Sequence, residues 1–151
     1  MFPSQLRALV GLVILVSLTG CGGAYDSSAE GVVTLDGKAL GFGWVAFHPK
    51  SGGPAAYSPI EANGSYTVRT GSEVGLHSGD YQVTVTANEP PAQMKSKDGG
   101  PMPTGKQVTP AWYSSKDMSG LSVAVKPGSN TINLELKSQP PAGWKPGQKT
   151  T

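Results

Sequence analysis

The sequence EGVVTLDGKALGFGWVAFHP, residues 30–49, contains two strand patterns joined by turn residues. β-Branched and apolar side chains precede Asp36-Gly37, a dipeptide that readily adopts positive φ angles, and a second apolar run follows it. We therefore predict a strand, a tight turn at Asp36-Gly37, a short return and a second strand. The rest of the chain supplies further strands for this unit to pair with.

Side chains in the second strand of this stretch alternate between two faces. Within residues 44–48, Val45 and Phe47 point one way and are predicted to enter the core, while the other three point the opposite way. The same period of two recurs in residues 81–86, 121–126 and 132–137. Strands with one apolar and one polar face form sheets that pack together, so we predict an all-β protein with a single β-sandwich.

Composition limits the number of domains and the classes of partner. The chain has 151 residues, which is room for one small domain, and its 21 glycines and 13 prolines favour turns over helices. Its 12 basic and 10 acidic side chains are dispersed along the sequence and do not form the basic, aromatic-rich pattern typical of nucleic-acid binding. We therefore predict no nucleic-acid partner.

The N-terminus has the parts of an export signal. A short positive start ends at Arg7, and residues 8–18 are an apolar run that is too short to span a bilayer, which takes ~20 residues. The one cysteine of the chain, Cys21, directly follows Leu18-Thr19-Gly20. A single cysteine cannot form an internal disulfide, so in an exported protein it is either modified or left reactive.

Residues 18–21 resemble the lipobox of bacterial lipoproteins. The resemblance implies that residues 1–20 are a signal peptide and that Cys21 becomes the first mature residue, carrying lipid with acyl chains such as palmitate on its sulfur and its amino group. It also implies an extracytoplasmic protein that is lipid-anchored to the bacterial cell membrane or outer membrane. The alternative is a plain signal peptide followed by a free or buried thiol. The small, polar residues 21–29 are predicted to form a flexible tether.

A second resemblance covers residues 30–137. Thr34-Leu35-Asp36-Gly37-Lys38, Asn63-Gly64-Ser65-Tyr66 and Gly79-Asp80-Tyr81-Gln82-Val83 are similar to motifs of the carboxypeptidase regulatory-like domain. The resemblance implies a seven-stranded transthyretin-like or Ig-like β-sandwich. It covers no peptidase domain, so we do not expect peptidase activity from it.

Two segments depart from the strand pattern. Residues 87–110 are predicted to form a long irregular loop, and loops of this length are either functional or mobile. Residues 138–151, rich in proline and polar side chains, are predicted to form a disordered tail in which Trp144 is the candidate anchor.

The residue types needed for catalysis or metal binding do not occur in recognisable patterns. His48 and His77 are far apart in sequence, and neither has the cysteine or glutamate spacing typical of zinc sites. Serines do not occupy a Gly-x-Ser-x-Gly turn, and the acidic residues are scattered rather than clustered as calcium requires. We therefore predict a non-catalytic protein without a metal or a cofactor.

Aromatic side chains are the best candidates for ligand binding. Trp44, Trp112 and Tyr113 could stack on a sugar or a peptide, although the alternative is that they close the ends of the sandwich as core residues. The sequence thus favours a structural or interaction module at the cell envelope, with an envelope protein or a glycan as partner. The alternative is a carbohydrate- or peptide-binding module that uses exposed aromatic rings.

Overall fold

The structure is a computed structural model that describes residues 24–90, 105–140 and 142–143, so that Cys21 and the leader lie outside the described residues. Regular structure in these residues is all β, apart from one 3₁₀ turn at Ala111–Ser114. Two sheets contain the eleven strands β1 Ser27–Leu35, β2 Lys38–Ala39, β3 Trp44–Pro49, β4 Ala56–Pro59, β5 Ser65–Thr67, β6 Arg69–Thr70, β7 Glu73–Val74, β8 Gly79–Thr86, β9 Leu121–Val125, β10 Gly128–Thr131 and β11 Leu134–Leu136.

The smaller sheet is built around β1. One edge of β1 pairs antiparallel with β5 at its middle and with β2 at its end. The other edge pairs in parallel with β10 from Ser27 and with β11 from Val33. The first strand of the described chain therefore lies between β2 and β5 on one edge and the last two strands, β10 and β11, on the other.

The predicted turn between β1 and β2 is confirmed. Asp36 and Gly37 have φ angles of 51° and 81°, and the residues on either side, Leu35 and Lys38, are paired in antiparallel register. Two consecutive positive φ angles match the right-handed twist of the flanking strands, which explains why an Asp-Gly dipeptide occurs at this position.

The larger sheet has the strand order β7-β6-β4-β3-β8-β9. Its central pair, β3 and β8, is antiparallel from Trp44 opposite Thr86 to Pro49 opposite Tyr81. We call the end of the molecule that contains Ser27 and Pro49 the near end, and the end that contains Leu35 and Trp44 the far end.

The core lies between the two sheets. Val45 and Phe47, which the alternation predicted to face inward, are completely buried, and this confirms the predicted facing of β3. The Phe47 ring lies 6.1 Å from the Tyr66 ring of the smaller sheet and 6.0 Å from the Tyr81 ring of its own sheet. Two sheets that share one apolar core are consistent with a β-sandwich.

A close backbone contact fixes the smaller sheet at Gly31. A Cβ atom added at Gly31 would lie 2.0 Å from the carbonyl oxygen of Ile132, in the connection between β10 and β11. The Tyr66 hydroxyl donates a hydrogen bond to that same oxygen. Burial raises the pKa of Tyr66, so that its hydroxyl remains protonated and able to donate at physiological pH.

The structure differs from the predicted boundaries in three places. The described residues contain eleven strands, whereas the resemblance implied seven, because turns and breaks divide the extended chain into several strands of only two to four residues. β1 begins at Ser27, inside the predicted tether, because small residues there pair with β10. The predicted loop 87–110 is paired at its base, where Asn88 bridges Gln107 and the Glu89 amide donates to the Lys106 carbonyl at 2.8 Å. Residues 91–104 lie outside the described residues.

Candidate functional site

The outer face of the larger sheet carries two exposed aromatic rings on neighbouring strands. Trp44 in β3 is 58% exposed and Tyr57 in β4 is 50% exposed. Trp44 is paired with Pro59, and Tyr57 is paired with Ala46, so the two aromatic residues are diagonal neighbours on one face. Diagonal neighbours in an antiparallel sheet lie about 7–8 Å apart, a spacing that lets both rings contact one ligand.

Alternation along the two strands explains why these rings face solvent. In β4, Ala56 and Ser58 are 1% exposed and fill the core side, which leaves Tyr57 on the other side. In β3, the small Ala46 lies opposite Tyr57 and is itself buried. The surface around Ala46 thus has a small residue at its centre and large side chains around it. We name it the aromatic face, and it consists of Trp44, Ala46, His48, Tyr57 and Arg69.

Polar groups accompany the rings on the aromatic face. The His48 Nε2 atom lies 3.1 Å from the Thr84 hydroxyl oxygen, and Arg69, which is exposed, is paired with Tyr57 across β4 and β6. Burial, followed by the nearby positive charge of Lys116, lowers the pKa of His48. Since its ordinary value is already about 6.5, His48 is neutral at physiological pH and serves as a hydrogen-bonding group rather than a cation.

The three aromatic residues predicted as ligand-binding candidates are in two different environments. Trp44 is on the aromatic face, whereas Trp112 and Tyr113 are both in the 3₁₀ turn, with ring centroids 5.7 Å apart. Tyr113 is 7% exposed, and its hydroxyl accepts a hydrogen bond from the Lys137 amide at 3.0 Å. Trp112 is half-buried and packs against the core. The alternative interpretation, that these aromatic residues help to close the core, therefore describes Tyr113 and in part Trp112.

Tyr57 is a member of the aromatic face that sequence reasoning did not single out. Its strand is only four residues long and contains a serine and a proline, so its alternation is weak. The available signal was the position of Tyr57 between two small residues, Ala56 and Ser58, which suit a tightly packed side of a strand.

At the near end, His77 approaches a carboxylate. The His77 Nδ1 atom lies 3.6 Å from Asp26 Oδ1, with both side chains substantially exposed. Asp26 also accepts hydrogen bonds from the Ser78 amide at 2.8 Å and the Ser78 hydroxyl at 2.6 Å. These two bonds lower the pKa of Asp26, which is therefore ionised at neutral pH.

The order of these contacts is not that of a catalytic triad. Nucleophilic catalysis by serine requires its hydroxyl to donate to an imidazole that a carboxylate orients. Here the Ser78 hydroxyl donates to Asp26 instead, and Asp26 bridges Ser78 and His77. The arrangement ties the N-terminal segment to the loop before β8.

Two kinds of feature are absent from the described part of the chain. Residues 24–90, 105–140 and 142–143 contain no group of three or more His, Cys, Asp or Glu side chains placed to hold a metal ion. Within the same ranges, none of the structure is a helix long and apolar enough to cross a membrane.

Comparison with known proteins gives no relative from which a function could be transferred. The chain matches no protein-family model, no curated protein and no solved structure. The resemblances to lipoproteins and to the carboxypeptidase regulatory-like domain stay predictions.

Proposed function

We propose that this protein is a lipid-anchored, non-catalytic β-sandwich lipoprotein that acts as an interaction module at the cell envelope and binds its partner through the aromatic face. The observation that carries the proposal is the pair of exposed rings, Trp44 and Tyr57, on neighbouring strands of one sheet. Tyrosine, tryptophan and arginine are the residues that most often dominate the binding energy of protein interfaces.

The anchoring part of the proposal is supported by the sequence. Cys21 follows an apolar run and Leu18-Thr19-Gly20, the pattern that resembles a lipobox. The transthyretin-like identity of the sandwich is likewise proposed, on the motifs at residues 34–38, 63–66 and 79–83.

The binding chemistry of the aromatic face supports a protein partner. Trp44 and Tyr57 offer large rigid rings that lose little side-chain entropy on binding, and Arg69 offers a planar guanidinium group at the side of Tyr57. His48, two residues along β3 from Ala46, adds a partly exposed polar group. Aromatic rings accompanied by polar groups are the usual composition of a protein-binding surface.

Photo-crosslinking tests this assignment. With a photoreactive phenylalanine analogue in place of Tyr57 in the membrane-bound protein, we expect irradiation of cells to give a discrete crosslinked partner. The additional substitution Trp44→Ala should lower the crosslinked yield about tenfold, corresponding to a loss of ~1.4 kcal/mol of binding free energy, because it removes the more exposed of the two rings.

The matched control places the same photoreactive residue at Glu135, which is exposed on β11 in the other sheet. This variant should give little of the crosslinked product. Equal yields from positions 57 and 135, or a yield at position 57 that does not respond to Trp44→Ala, would contradict binding through the aromatic face.

A carbohydrate is the second candidate ligand. It is favoured by the diagonal placement of the Trp44 and Tyr57 rings, since exposed rings on a sheet can stack on the faces of adjacent sugars. If the partner is a glycan, the protein should bind immobilised envelope polysaccharide, and Trp44→Ala should reduce this binding about tenfold, while Trp112→Ala should change it little, because Trp112 packs against the core. If the wild-type protein and the Trp44→Ala variant bind the polysaccharide equally, the aromatic face does not bind this ligand.

A further inference from the structure

The N-terminal segment of the described chain is fastened to the near end by several contacts. The Tyr25 ring lies 5.0 Å from the His77 ring in an edge-to-face arrangement. Asp26 accepts hydrogen bonds from the Ser78 amide and hydroxyl through its carboxylate, and from the Gly128 amide through its carbonyl oxygen at 2.9 Å. The Ser27 carbonyl accepts from the Leu76 amide at 3.0 Å. Within the described chain, the N-terminal segment is therefore fastened from Tyr25 onwards.

The distance along the chain from Cys21 to this fastened segment is short. Only four residue steps separate Cys21 from Tyr25. An extended chain covers at most about 3.6 Å per residue, so the two residues can be no more than ~14 Å apart. By contrast, β1 spans nine residues from the near end to the far end, a length of about 26 Å at ~3.3 Å per residue step.

The near end also has a surface that suits neutral lipid headgroups. Val74 is 49% exposed and lines a shallow recess together with Tyr25. Pro54 is exposed as well, and it lines a second recess, of about 180 Å³, that also includes Tyr25. The ionisable side chains at this end are of both signs: Asp26, Lys50, Glu73, His77, Asp80 and Lys126.

We propose that the near end of the sandwich rests on the phospholipid headgroups, with the far end and Trp44 directed away from the membrane. The proposal rests on lipidation of Cys21, which is part of the proposed function. If the far end faced the lipid, the near end would stand about 26 Å above the membrane, which is the length of β1. The segment from Cys21 to Tyr25 spans at most ~14 Å, so it could not reach the membrane from there. The exposed Val74 and Pro54 line recesses together with Tyr25, and this favours an end-on orientation over one in which the molecule lies on its side.

The orientation can be tested by short-range quenching in vesicles. The lipidated mature protein would carry a single added cysteine with a fluorescent label, either Ser51→Cys at the near end or Lys38→Cys at the far end, both exposed positions. The thioether-linked lipid blocks the sulfur of Cys21, so only the added thiol reacts. Vesicles of phosphatidylcholine would contain a lipid with a spin label on its headgroup.

We expect the label at position 51 to be quenched several-fold more strongly than the label at position 38. The same difference is expected when some phosphatidylcholine is replaced by anionic phosphatidylglycerol, because the near end has charges of both signs. Equal quenching at the two positions, stronger quenching at position 38, or no quenching in protein that floats with the vesicles would overturn the orientation and leave the anchoring intact. A protein that does not float with the vesicles would overturn both. Circular dichroism of each labelled variant shows that it is folded.

Discussion

Replacing Gly31 with alanine is expected to destabilise the protein by more than about 4 kcal/mol, a large share of the 5–15 kcal/mol typical of a domain. The added Cβ would lie 2.0 Å from the carbonyl oxygen of Ile132, far inside van der Waals contact. Neither group can move alone, because Gly31 is paired with Tyr66 and the Ile132 oxygen accepts the hydrogen bond from the Tyr66 hydroxyl. Relief of the overlap therefore separates β1 from the strands on one of its edges.

Denaturant unfolding followed by circular dichroism measures this loss, and Gly37→Ala is the matched control. Gly37 has a φ angle of +81°, but a Cβ added there meets no other atom within 4 Å. Alanine at position 37 therefore carries only the cost of a left-handed conformation, about 1–2 kcal/mol. If the two variants lost similar amounts of unfolding free energy, the carbonyl oxygen of Ile132 would not be in close contact with Gly31.

The substitution Cys21→Ser is expected to abolish fatty-acid attachment. Serine cannot form the thioether that attaches lipid to the cysteine of a lipobox, and Cys21 is the one cysteine of the chain. Cells grown with an alkyne-bearing palmitate analogue should label the wild-type protein and leave the variant unlabelled. The loss matters because each buried CH₂ group of an acyl chain contributes about 0.8 kcal/mol to membrane binding.

Gly23→Ser is the control for this experiment, since it changes a residue beside the anchor without removing the thiol. It should be labelled as strongly as the wild type. Label that persists in Cys21→Ser, or a wild-type mature N-terminus whose mass contains no fatty acid, would refute the proposed anchor and the orientation that depends on it.

Much of the larger sheet could be predicted from the sequence because its strands alternate between apolar and polar residues. Val45, Phe47, Val83 and Val85 are all completely buried, as their period of two indicates. The turn at Asp36-Gly37 was predictable for a different reason, since few dipeptides accept two positive φ angles.

Other features could not be predicted because they depend on distant residues. The start of β1 at Ser27 is set by pairing with Gly128, and nothing in the local sequence Ser-Ser-Ala indicates a strand. Gly31 likewise looks like an interruption of a strand until Ile132 is brought against it. Local patterns report which side of a strand is apolar, but they do not report which strand becomes its neighbour.

The positions of the candidate residues could be predicted in part. The alternation of Trp44 with core residues in a clear strand places it on the outer face of the larger sheet, where it is 58% exposed. Trp112 and Tyr113 lie in a 3₁₀ turn, where a period of two does not apply, and tertiary packing places Tyr113 in the core. Tyr57 was missed because its short strand gives little pattern.

The parallel pairing of β1 with β10 and β11 has a consequence for how the protein is made. The first strand cannot acquire its partners on one edge until Gly128–Leu136, near the other terminus, is available. Contacts between residues so far apart in sequence form late, because a long loop must close before they contribute. Because a ribosome makes the chain from its N-terminus, we therefore expect the smaller sheet to assemble only after Gly128–Leu136 has been synthesised.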